Sequence, residues 1–131
     1  MAQATGTFTV SSWDENTYEE LEGSGKLTKA TVTFAFTGEI EGQGQWDAVM
    51  CYRDDGTATF TGYQRNVGTL GGRTGTFVLR ADGTFENGEA RSTWQVVEGS
   101  GTGDLRGLTG AGETIATATP PGTYTFSYEL G

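Results

Sequence analysis

Histidine is absent from this chain. Its absence removes Ser-His-Asp and Cys-His catalysis and takes away the commonest nitrogen ligand of zinc, so no metal site is expected. Cysteine is nearly absent too. Cys51 stands alone, and no internal disulfide can form. Cations are scarce: 8 lysines and arginines stand against 17 aspartates and glutamates, for a net charge of -9. A nucleic-acid backbone needs clustered cations, and an anionic membrane surface needs a basic patch. Neither is an expected partner, and the acidity is expected to serve solubility. Long apolar runs are missing, so no spanning helix is expected. The opening MAQATGTFTV has no basic stretch followed by an apolar core, which leads to the expectation of a cytoplasmic protein.

Glycine is in excess, with 22 in 131 residues, against an ordinary share of about 7%. It has no period of three, so it serves local geometry rather than a triple helix. Between the glycines the dominant pattern is alternation. Val32, Phe34 and Phe36 alternate with threonines, and Trp46, Ala48, Met50 and Tyr52 alternate with Gln45, Asp47 and Arg53. Ala58 and Phe60, Phe77 and Leu79, Trp94 and Val96, and Tyr124, Phe126, Tyr128 and Leu130 do the same. A period of two puts one set on a core face and the other on the opposite face. Phe8 and Val10 begin the series, and a short strand fits Glu113 to Thr117, which makes about eight strands. DDG, ADG and ENG supply hairpin turns. DENTYEELEG, residues 14–23, has room for a helical turn or two at most. The expected fold is all-β, one domain over residues 1–131, with short connections that favour antiparallel neighbours closed as a barrel or stacked as a sandwich.

The stretch VGTLGGRTGTFVLRADG, residues 67–83, nearly imitates a phosphate-binding loop. Val67 stands where the first glycine belongs, and Arg73 where the lysine belongs. The residues that follow alternate like a strand, so no helix N-terminus is available to hold an anion. GTGDLRG, residues 101–107, fails as a dinucleotide fingerprint for the same reason. Gly62, Gly68, Gly71, Gly72 and Gly75 are instead expected to bend and cross strands, as closing a small barrel requires.

Three segments, SWDENTYEELEGSGKLTKATVTFAFTGEIEGQG (12–44), YRDDGTATFTGYQRNVGTLGGRTGTFVL (52–79) and WQVVEGSGTGDLRGLTGAG (94–112), carry a family likeness over nearly the whole chain. They resemble a bacterial domain-of-unknown-function family whose members look like small β-barrels of the allene oxide cyclase type. GSGTGDLRGLTGAG is the most specific element. The resemblance implies a single eight-stranded, mostly antiparallel barrel that needs no metal or organic cofactor for a cyclisation or coupling step. Many members carry glutamate where this chain has Gln64, and a histidine near Ala81. Both departures remove titratable groups.

On the alternation, Phe34, Phe36, Trp46, Met50, Trp94, Tyr124 and Tyr128 face inward and are the candidate substrate-binding residues. They form either the wall of a chamber or a packed filling. Tyr52 and Gln64 share that face. With Glu20, which would reach Gln64 if residues 19–22 folded over a barrel end, they are the candidate catalytic set. Three functions follow. A cofactor-independent isomerase or cyclase would confine a hydrophobic small molecule, polyketide-like or lipid-derived. A lipocalin-like carrier would hold such a molecule unchanged. A packed barrel would have an interaction role only. Val49, Cys51, Tyr63 and Val78 face outward among threonines, and a homo-oligomer, a dimer first, is expected.

Overall fold

The computed structural model describes residues 2–23 and 25–130. Eight strands follow in chain order: β1 (Ala2–Glu20), β2 (Lys26–Gly38), β3 (Ile40–Tyr52), β4 (Ala58–Leu70), β5 (Arg73–Glu86), β6 (Glu89–Val96), β7 (Leu108–Thr117) and β8 (Gly122–Leu130). Each pairs antiparallel with the next, and β8 returns to β1, so the sheet closes as an all-β barrel. Every connection is a hairpin or short loop, which is why no strand runs parallel to its neighbour. Among the described residues the one helical piece is a 3-10 turn, Gly103–Leu105, and no helix is long and apolar enough to cross a membrane.

The alternation builds these strands directly. β3 buries Trp46, Ala48 and Met50 and exposes Gln45, Asp47 and Val49. Two segments depart from expectation. Residues 14–20 form no helical turn; they continue β1, paired to β2 as far as Glu20 and Lys26. Register shifts between Val10 and Ser12 and between Thr17 and Glu19 mark bulges there, and a bulge moves the next side chains to the other face. The strand placed at Glu113–Thr117 begins earlier, at Leu108. Its first half shows no apolar alternation because Gly110 and Gly112 stand at inward positions, opposite Tyr128 and Phe126. A Cβ on Gly112 would lie 3.2 Å from the Phe126 ring, so the glycines make room for the aromatics they face.

The glycine-rich stretch 67–83 bends and packs strands. Gly71 and Gly72 form the β4–β5 turn with φ of 57° and 83°, a left-handed conformation that glycine adopts without a Cβ penalty. Gly68 pairs with Gly42 on one side and Gly75 on the other, a row without side chains across three strands. At Gly75 an added Cβ would strike the Thr102 carbonyl. That close approach lets the loop after β6 strap onto β5, with Thr102 N–H donating to the Thr76 carbonyl at 2.9 Å and Val78 N–H to Ser100 Oγ at 3.0 Å. The strap carries Leu105 into the barrel end, where it is fully buried. GSGTGDLRGLTGAG therefore closes the floor.

The interior divides into two halves. Toward the floor it is filled by Leu70, Phe77, Leu79, Leu105, Leu108 and Phe126. Toward the other end β1 runs on past β8: their pairing stops at Phe8 and Gly122, and among the described residues β1 has no partner on that side beyond it. The barrel is open there.

Candidate functional site

The open half encloses a cavity of about 320 Å³. Its side walls come from inward positions of nearly every strand: Phe8 on β1, Phe34 and Phe36 on β2, Trp46 and Met50 on β3, Phe60 and Gln64 on β4, Ala81 on β5, Ser92 and Trp94 on β6, and Thr114 on β7. The rim is formed by Val10, Trp13, Tyr52, Ala58, Phe85, Ala90 and Ala116. Aromatic edges hold the wall. Trp46 meets Phe60 edge-on at 5.1 Å between ring centres, and Phe8 meets Phe34 edge-on at 5.6 Å, a preferred geometry of such pairs. Trp46 Nε1–H donates to the Ala81 carbonyl at 3.3 Å, which ties β3 to β5 over the inner face of β4. Trp13 and Val10 on β1 are about half exposed, and Phe85 on β5, opposite β1 in the closed sheet, is exposed too, so the mouth has an apolar lip.

Three polar features stand on or beside this surface. On the wall Ser92 and Thr114 share a hydroxyl hydrogen bond between β6 and β7. Deeper on β4, Gln64 Nε2 donates to Asn66 Oδ1 at 3.0 Å. Both amides are almost fully buried. Gly44 faces them from β3, where a Cβ would come within 2.5 Å of Asn66 Oδ1. The Asn66 amide nitrogen has no hydrogen-bond partner, a condition that costs about 1–3 kcal/mol for a buried donor.

The third feature stands at the rim. After the bulge at Ser11, Trp13 and Glu15 turn inward beside Val32 and Ala30. Glu15 Oε2 accepts from the Tyr52 hydroxyl at 2.6 Å and from Thr28 Oγ1 at 2.6 Å, and Oε1 accepts from Trp13 Nε1 at 2.9 Å. Burial pushes the Glu15 carboxyl up, but the hydrogen bonds from Thr28, Tyr52 and Trp13, with the charge of Lys26, hold it below its ordinary 4.5. Burial first, then the hydrogen bond to Glu15 and its charge, push the Tyr52 phenol well above its ordinary 10. At neutral pH the pair is therefore a carboxylate and a neutral phenol. Lys26 Nζ lies 5.1 Å from the centre of the Tyr52 ring.

The structure brings Phe34, Phe36, Trp46, Met50, Tyr52, Gln64 and Trp94 together around one cavity. Tyr124 and Tyr128 are elsewhere, in the filled half. Tyr124 accepts from Ile40 N–H at 2.9 Å and donates to the Thr37 carbonyl at 3.0 Å, so its hydroxyl locks the β2–β3 turn. Tyr128 stacks on Phe126. Glu20 does not meet Gln64. Because β1 stays extended, Glu20 is carried to the exposed tip of the β1–β2 hairpin, opposite Lys26. Sequence reasoning missed Glu15 and Asn66. The only signal for Glu15 was a weak alternation of Trp13, Glu15 and Thr17 with Asp14 and Asn16. Among the described residues no three Asp, Glu or Cys side chains gather as a metal-holding group.

A family model described as "Protein of unknown function (DUF3224)" matches residues 4–128. A crystal structure of a protein with unknown function from that family, from Shewanella oneidensis MR-1, is similar over 100% of this chain and 98% of its own. The two are 29% identical, with a TM-score of 0.85. No curated protein matches the chain.

Proposed function

The chain belongs to the DUF3224 family, and from that premise we propose that its barrel binds a largely apolar small molecule in the open half. The observation that carries this reading is the cavity of about 320 Å³, walled by aromatic and aliphatic side chains with a few polar groups. Small-molecule sites have this size and character. Apolar cavities of about half that volume stay dry and take up benzene-sized guests. Calorimetric titration with propylbenzene tests the proposal. Saturable binding at one site, weakened by Met50→Trp and unchanged by Tyr63→Ala, is expected. No saturable heat would defeat it.

Within this reading, carriage without chemistry is favoured by the lining, where among the described residues Tyr52 is the only titratable group. A cofactor-independent isomerase or cyclase, of the kind the likeness to allene oxide cyclase barrels implies, is the second reading. The Glu15–Tyr52 pair favours it, because a neutral phenol at the rim can donate a hydrogen bond to a ligand oxygen while its carboxylate partner holds it in place. Incubation with polyene epoxides separates the two. A carrier returns them unchanged, whereas an isomerase yields a product of equal mass and different retention that Tyr52→Phe suppresses.

A further inference from the structure

The hydroxyl pair on β6 and β7 says what kind of apolar molecule the chamber holds. We propose that the ligand is an uncharged alcohol, an apolar body bearing a hydroxyl group that Ser92 and Thr114 bind from the chamber wall. The proposal rests on the reading of the open half as a ligand chamber and names the ligand class of that site.

Both residues line the chamber. They stand directly opposite one another on neighbouring strands, and one hydrogen bond joins their hydroxyls. A serine side chain is one methylene and a hydroxyl, so Ser92 brings little but its oxygen to the wall. The proton count then decides what the pair offers. Two hydroxyls carry two protons and four lone pairs. The bond between them uses one of each, and among the described residues neither hydroxyl bonds to another protein group. The pair therefore keeps one O–H to donate and, beside it, lone pairs to accept. Other polar side chains on the lining are engaged elsewhere. Tyr52 gives its proton to Glu15, Trp13 gives its N–H to the same carboxylate, and Trp46 gives its N–H to the Ala81 carbonyl. Gln64 Nε2 is turned toward Asn66. Between the hydroxyl pair and the mouth stand Ala90 and Ala116, also opposite one another, whose methyl groups are too short to cover it.

The complement to an adjacent donor and acceptor is a group that both accepts and donates. An alcohol takes the free proton and returns its own to the neighbouring oxygen, whereas a ketone or ether can only accept. A guest that displaces water from the pair and offers no hydrogen bond in exchange loses affinity, and a polar group left unpaired by the wrong guest is a strong means of discrimination. The lining also sets the charge. Among the described residues no Lys, Arg, Asp or Glu lines the chamber, so an ionic group inside would be buried without a counter-ion.

Calorimetry with propylbenzene and 1-phenylpropan-1-ol, which differ by one hydroxyl, tests the assignment. A guest hydroxyl buried without a partner would weaken binding about a hundredfold against the hydrocarbon. In the wild-type protein the two are expected to bind within about tenfold of each other. With Ser92→Ala and Thr114→Val combined, propylbenzene should bind as before and the alcohol about tenfold more weakly, a loss of the size one hydrogen bond gives. Propiophenone, which accepts but does not donate, should lose less than the alcohol. In a crystal of the wild-type protein with the alcohol, its oxygen should lie within hydrogen-bonding distance of both hydroxyls. An alcohol bound a hundredfold more weakly than propylbenzene, or unaffected by the double substitution, would overturn the inference and leave the chamber standing; equal losses for propiophenone and the alcohol would overturn the assignment to an alcohol. Failure of propylbenzene and the alcohol alike in the wild-type protein would remove the chamber and the inference with it. The wild-type comparison and the crystal decide the matter even if the double variant does not fold.

Discussion

Replacing Trp94 by alanine should separate the two halves of the barrel energetically. Trp94 is 3% exposed and belongs to both. One side lines the chamber, and the other stacks on Tyr124 at 5.8 Å and meets Phe126 edge-on at 6.0 Å and Phe36 at 5.8 Å. Removing a buried tryptophan side chain costs about 3–5 kcal/mol, and the three aromatic contacts fall within that loss. The new space opens into an existing cavity that solvent reaches, so the low end, about 3 kcal/mol, is expected. Domains of this size have about 5–15 kcal/mol in total, so the variant should fold and its urea midpoint should fall clearly. Tyr63→Ala, at a position 59% exposed on the outer face, should move the midpoint by no more than about 0.5 kcal/mol. Urea denaturation followed by far-UV circular dichroism gives both numbers. The enlarged chamber should also admit a guest broader than propylbenzene. A Trp94→Ala cost below about 1 kcal/mol, or equal to that of Tyr63→Ala, would refute the division into a filled and an open half.

Glu15→Gln should bring the Tyr52 phenol down toward its ordinary value, read by alkaline difference absorbance, because the partner's charge is gone; an unmoved titration would deny the pair. The same substitution tests acid stability. The Glu15 carboxyl is held below 4.5 in the fold, so its contribution is present above that pH and is lost as pH falls through the lowered value. The wild-type urea midpoint should therefore drop more steeply with acid than that of the variant. Gly6→Ala should destabilise by about 1–3 kcal/mol or more, because the new methyl would overlap the Thr37 carbonyl and the Tyr124 hydroxyl; a stability unchanged in the urea assay would refute that packing. Val49 and Tyr63 are exposed on neighbouring outer positions of β3 and β4, and sedimentation at micromolar concentration should show a dimer, a monomer being the contrary result.

Much of the barrel is legible in the chain because side-chain alternation and turn chemistry are local properties. Trp46, Met50 and Phe60 declare their face within a few residues. What is hidden depends on register. The bulge at Ser11 adds no recognisable residue, yet it turns Trp13 and Glu15 inward and creates the rim cluster. Gly110 and Gly112 conceal half of β7, because their inward role is to be absent where Phe126 and Tyr128 lie. Asn66 reads as one more polar residue until the unpaired nitrogen is seen beside Gln64. Tyr124 and Tyr128 alternate just as Trp46 and Met50 do, and alternation carries no information on which end of the barrel is filled. Leu105 and the loop that carries it decide that.

The most direct test of the chamber is a crystal soaked in bromobenzene and measured at the bromine absorption edge. The anomalous signal should show one strong bromine site inside the barrel, among Trp46, Phe60 and Trp94. Bromine only on the outer surface, or nowhere, would contradict the assignment of the open half as a small-molecule site.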